Sequence, residues 1–329
     1  ITVSQASGSI AELSTTGTVT ITSDGAIGSG ATRLELSSGV GTVTVTTTGA
    51  GDDVWLQGLG ALTLGAITTT GGQVNVTSIG LNTLLTVGGN IGTSNGNVTL
   101  QANGGVTVGT GFSVNSGTGT ITLFADSAPD GTGTLTLNDN STVTSSNTTV
   151  SAITLKGADL SISTTALNEA TVSATGVGGG IRIFNSVGTA NIHIGDVGGS
   201  GLSLDDVELN RLIDFDTLTI GESGVQSGKI TFVTVAHATV TTAAIVANSN
   251  SGAGIIEFDD LGMSTALAAG SGAVTLNAGT GGITATTGAN TTPEVSTTGT
   301  ITLNTTNGTV GASVNLIQFV NNQDDVVAS

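Results

Sequence analysis

Carboxylates are the side chains of this chain whose types and spacing could do chemistry, and they fall in short clusters. These are Asp52-Asp53, Asp126 with Asp130, Asp205-Asp206, Asp214 with Asp216, and Glu257 with Asp259-Asp260. Two carboxyl groups at a suitable separation can act as acid and base, or acid and nucleophile, on a glycosidic bond. Paired aspartates beside glycine turns also offer hard oxygen ligands to calcium. Asp52, Asp53, Asp205, Asp206, Asp259 and Asp260 are therefore the candidate metal ligands, and calcium is the one cofactor they suggest. Most clusters lie next to turn residues, where a solvated acidic corner accounts for them equally well. The five basic residues are too few to neutralise an acidic sugar, so the sequence nominates no catalytic residue.

Other reactive side chains are scarce. There is no cysteine, which excludes disulfides, thiolate metal sites and cysteine nucleophiles. His193 lies between Ile192 and Ile194 and so reads as an outward residue of a strand; neither it nor His237 has a metal-motif partner. Gly49-Ala50-Gly51-Asp52-Asp53-Val54 partly matches one unit of the calcium-binding nonapeptide roll, but a roll needs tandem copies and this is a single copy. Runs such as Thr42-Val43-Thr44-Val45-Thr46 suggest a flat ice-binding face, which would need matching register in every coil; β-propensity on a wet face explains them too. The single tryptophan, Trp55, could stack on a sugar.

The elements that must carry these groups are legible as a repeat. Gly117-Thr118-Gly119 leads into Thr120-Ile121-Thr122-Leu123, and related units recur at Thr18, Thr42, Ala61, Asn97, Thr134, Ala273 and Thr300. Side chains alternate across a strand, so Ile121 and Leu123 share a buried face and Thr120 and Thr122 a wet one. The starts at Thr18 and Thr42, and at Asn97 and Thr120, differ by 24 and 23 residues. That period suits stacked strands better than a β-sandwich, which closes after about 100 residues on larger side chains. The expected fold is all-β, a parallel β-helix or solenoid of roughly 14–15 coils and about 70 Å long, continuous from residue 1 to 329. Strands are expected at 1–4, 18–22, 33–36, 42–46, 73–76, 84–87, 97–101, 106–108, 120–124, 134–137, 152–155, 160–163, 181–184, 191–194, 217–220, 229–233, 255–258, 273–276 and 300–303. One short helical turn is expected near 204–213, capped through Ser203-Leu204-Asp205-Asp206, and residues 323–329 should fray.

Composition bounds the partners. The net charge is −18, which opposes nucleic acid and anionic lipid. No apolar run reaches 18 residues, so no membrane insertion is expected. From Val54 to Ala125 there is no Asp, Glu, Lys or Arg, and this neutral stretch is a candidate association surface. The opening Ile1-Thr2-Val3, without Met, suggests a mature or excised piece of a longer chain.

Gly201-Leu202-Ser203-Leu204-Asp205-Asp206-Val207-Glu208-Leu209-Asn210-Arg211-Leu212-Ile213, followed by Asp216-Thr217-Leu218-Thr219-Ile220 and Gly228-Lys229-Ile230-Thr231, resembles a block of the filamentous haemagglutinin-like class of large repetitive bacterial surface proteins. Gly96-Asn97-Val98-Thr99-Leu100-Gln101-Ala102 and Gly272-Ala273-Val274-Thr275-Leu276-Asn277-Ala278 extend the likeness at the level of pattern. The resemblance implies a right-handed β-helix, secreted to the cell surface as part of a longer adhesin or fibre. No secretion domain of that class is visible. The expected function is structural and adhesive, by self-association into fibres or contact with neighbouring repeats, glycans or a neighbouring cell, without catalysis. A polysaccharide-binding or polysaccharide-cleaving β-helix module is the alternative.

Overall fold

The computed structural model describes residues 1, 8, 10–195, 200–235, 242–261, 264–286, 292–312, 315–320 and 326–328. Residues 2–4 of the expected first strand, and His237, lie outside them. Among the described residues there are 31 strands and one four-residue helix. The fold is all-β, and every described strand pairing is parallel. Two compact units are formed, Ile1–Gly179 and Gly180–Ser329.

In the first unit the chain visits three ladders in turn. Val98–Ala102, Val106–Val108 and Ser113–Asn115 each belong to a different one, and Ile121–Phe124 returns to the first. The first ladder aligns Leu34, Leu56, Val76, Leu100, Leu123 and Leu155 in one inward row. The second aligns Leu62, Leu85, Val106, Leu135 and Leu160, and the third aligns Ile67, Ile91, Val114, Val143 and Val172. Parallel register puts like residues over like, so each aliphatic row fills its own layer without large aromatic side chains. Nearly all of these residues are fully buried, each contributing about 1.5–3 kcal/mol. Partners along the first ladder lie 20 residues apart at Leu56↔Val76 and 32 apart at Leu123↔Leu155. The extra residues enter turns and leave the register intact.

The glycine before each strong strand has a specific cause. Thr69 Oγ1 donates to the Gly72 carbonyl, Thr93 Oγ1 to Gly96 and Ser116 Oγ to Gly119, at 2.5, 2.5 and 2.6 Å. Each buried hydroxyl clasps the corner three residues on, which satisfies groups that water cannot reach. The clasped corners lie one over another, and a Cβ on Gly96 would overlap the backbone of Gly72. The glycines are therefore demanded by close backbone approach.

The second unit repeats the scheme. Ile181, Leu218, Ile245, Val274 and Ile301 form one inward row, and Leu202, Ile192, Ile230, Ile256 and Ile283 another. Phe232 and Phe258 pair in register with ring centroids 5.6 Å apart and planes 20° apart. On the outer face Asn277 Nδ2 donates to Asn248 Oδ1 at 2.8 Å and Asn304 Nδ2 to Asn277 Oδ1 at 2.7 Å. This asparagine ladder ends on the Gly221 carbonyl, which accepts from Asn248 Nδ2 at 3.1 Å.

Two expectations need correction here. The helical turn is present at Asp206–Leu209, but its cap is Asp205, whose side chain accepts from the Glu208 backbone while Glu208 reaches back. Ser203 instead lies in the strand Leu202–Asp205, because Leu202 and Leu204 fit the row of Ile192 and Ile194. At the other end, Val326–Ala328 does not fray but pairs in register with Ile301–Leu303.

Candidate functional site

The structure gives most of the clustered acids partners of their own and keeps Asp126 and Asp130 together in one loop. Asp53 ties two neighbouring strands together: its Oδ1 and Oδ2 accept from the backbone and side-chain nitrogens of Gln73, each at 2.9 Å. Asp52 contributes its backbone carbonyl to Thr47 Oγ1 at 3.2 Å. Asp205 is the helix cap, with Asp206 the first helical residue. Asp259 Oδ1 accepts from the Leu261 amide at 3.1 Å, and Asp260 is fully buried. Asp126 is buried too and closes its own loop, its carboxylate accepting from the amides of Asp130 and Gly131, both at 3.0 Å. Thr132 donates through its side chain and backbone to Asp130, which lowers the Asp130 carboxyl below the ordinary carboxylate range. Asp214 and Asp216 are exposed. Among the described residues no three His, Asp or Glu side chains converge on one point.

Glu257 lies in a groove. The groove, about 480 Å³, is also lined by Thr284, Thr286 and Asn315. Across the ladder Glu257 sits level with Thr231 and Thr284, and its carboxylate meets Lys229 Nζ at 2.5 Å. The cluster of Glu257 with Asp259 and Asp260 thus brings an acid to a base and not to a second acid. His193 sits on the outer face as expected, level with Ser203 and Thr231.

The bases are absorbed internally. Arg33 lies 5.2 Å from the centre of the Trp55 ring and donates to Asn75 Oδ1 at 2.7 Å and Thr77 Oγ1 at 2.9 Å, spanning three strands of the outer face. Burial lowers its pKa, though a guanidinium remains charged. Trp55 is thereby half-covered and is not a free stacking platform. Lys156 lies 5.0 Å over Phe124 and Arg182 4.9 Å over Phe184. Arg211 Nε donates to the Val207 carbonyl at 3.1 Å.

A second groove, of about 510 Å³, opens on the third ladder of the first unit and carries no charge. Its residues include Thr68, Asn90, Gly92, Ser94, Ser113 and Asn115. Sequence reasoning missed it as a site, though all six fall within the neutral stretch that it flagged as a contact surface. Among the described residues no helix is long and apolar enough to cross a membrane. No family model, no curated protein and no solved structure matches this chain.

Proposed function

We propose that the chain is a right-handed parallel β-helix of roughly 14 to 15 coils that works as a secreted structural or adhesive rod. On this reading it acts by self-association into fibres, by contact with neighbouring repeats of a longer chain, and by contact with glycans or a neighbouring cell surface. The observation that carries the reading is the recurrence, in the first unit, of parallel strand pairs 20 to 32 residues apart that visit three ladders in turn. Parallel crossovers in one sheet are right-handed with few exceptions, which supports the hand. Such an arrangement gives length and stiffness.

Electrostatics supports the same reading. The five bases interact within the chain, leaving the excess carboxylates to set the surface field. Copies of such a rod repel one another unless cations intervene, and calcium at acidic turns is the natural bridge. Val326–Ala328 pairs with Ile301–Leu303 and stands last in its sheet among the described residues, and an exposed strand edge recruits a further strand. Class membership with the filamentous haemagglutinin-like proteins belongs to this proposal and rests on the 201–231 block.

Electron microscopy of the purified protein, with and without a calcium chelator, tests the proposal. Regular threads are expected, and their loss on chelation would assign the bridge to calcium. Discrete particles that never associate at any calcium concentration would refute self-association as the function.

A further inference from the structure

Gly92 interrupts the outward row of the third ladder. That row runs Thr68, Gly92, Asn115, Thr144 across four strands, so one side chain is missing between a threonine and an asparagine. Neither usual reason for a strand glycine applies. Its φ is not in the left-handed region, and a Cβ built on it would meet nothing within 4 Å, whereas one on Gly65 or Gly157 would meet neighbouring strands. Glycine in a strand costs about 0.5–1 kcal/mol against alanine, so an unforced one calls for something that needs the space.

The walls of the gap are prepared donors. Asn90 Oδ1 accepts from the Ser113 amide at 3.0 Å and Asn115 Oδ1 from the Gly117 amide at 2.8 Å. A backbone N–H can bond only to the amide oxygen, so each asparagine is fixed with its NH2 left for a ligand. The hydroxyls of Thr68, Ser94 and Ser113 complete the lining. No ionisable side chain lies anywhere from Val54 to Ala125. The groove's volume of about 510 Å³ falls in the range of small-ligand sites.

We infer that the Gly92 notch is a subsite for one ring of a neutral saccharide, held by the amide groups of Asn90 and Asn115 and the neighbouring hydroxyls. Uncharged donors and acceptors at fixed positions match a polyhydroxylated ligand, and with no basic side chain in the stretch an anion would gain no ion pair there. The inference deepens the glycan-contact part of the proposed function and does not depend on fibre formation.

The test is titration calorimetry of the full chain with neutral tetrasaccharides of α-glucose, β-glucose and N-acetylglucosamine, and a heparin-derived tetrasaccharide as the anionic comparison. At least one neutral sugar should bind one-to-one, with affinity insensitive to salt. Gly92→Thr fills the notch and should weaken that binding about tenfold or more while circular dichroism stays unchanged and the melting temperature does not fall. Asn115→Asp keeps the acceptor for the Gly117 amide, removes the NH2 and should have the same effect. Failure of every neutral sugar to bind, preference for the anionic one, or wild-type binding by Gly92→Thr would overturn the inference. So would Gly92→Thr abolishing filaments without any sugar binding, which assigns the notch to a second copy. Sugar binding with no filaments in any condition supports the subsite while removing the fibre reading.

Discussion

Gly92→Ala and Gly96→Ala, four residues apart, should have opposite signs. At Gly92 the new methyl enters open space at an ordinary backbone conformation. Alanine there recovers the entropy that glycine loses on folding, a gain of about 0.4–1 kcal/mol. At Gly96 the new Cβ would lie 2.8 Å from Gln73 N and closer still to the Gly72 carbonyl, all of it backbone held in the ladder. Relief requires the clasped corner to move, breaking the 2.5 Å bond from Thr93 Oγ1 or shifting the strand Val74–Ser78. Overpacking of this kind costs about 1–3 kcal/mol, and the lost buried hydrogen bond about 1 kcal/mol more. The two variants should therefore differ by about 2–5 kcal/mol. Urea unfolding followed by Trp55 fluorescence reads this difference, because Trp55 lies in the same unit. Equal midpoints for the two variants would refute the stacked-corner account of the repeating glycine.

Three further outcomes follow from the second unit and from the Asp126 loop. Phe258→Ala removes one ring of the buried stacked pair and should cost about 3–5 kcal/mol, read as faster hydrogen exchange in peptides covering 230–285; no change there would count against the Phe232↔Phe258 register. Asn277→Ala breaks two rungs of the asparagine ladder and should cost about 1–3 kcal/mol in chemical denaturation, against under about 0.5 kcal/mol for outward Thr275→Ala. Thr132→Val should raise the carboxyl pKa of Asp130 toward its ordinary value in a carbon-13 titration. Because the folded pKa is depressed, the stabilisation from this contact is present above the unfolded carboxylate pKa and is lost as pH falls through the folded one.

The strands with two inward residues were legible in the sequence. Val106–Val108, Thr134–Leu137 and Thr217–Ile220 match the expected bounds, since two aliphatic residues flanking a threonine suffice to mark a face. The third ladder was not legible. Ile91–Gly92 and Ser113–Asn115 place one aliphatic residue each inward, which leaves no alternation to detect. Val54–Gly58 was hidden by Trp55 and Gln57 at outward positions, and Gly282–Ala285 by its short side chains. The partners of the clustered acids were not legible either, because adjacency along the chain says nothing of the neighbouring strand, where Glu257 finds Lys229 and Asp53 finds Gln73. The clasp of a buried hydroxyl on the glycine three residues on was present in sequence as Thr69-x-x-Gly72, Thr93-x-x-Gly96 and Ser116-x-x-Gly119. It reads as a turn composition until the stacking of the corners gives it a cause.

Fibre diffraction from aligned threads of the purified protein tests the central claim most directly. Strands stacked along a rod place the inter-strand spacing along the fibre axis, so a sharp meridional reflection near about 4.8 Å is expected. Threads whose 4.8 Å reflection lies on the equator, or a protein that gives no threads to align, would contradict the account.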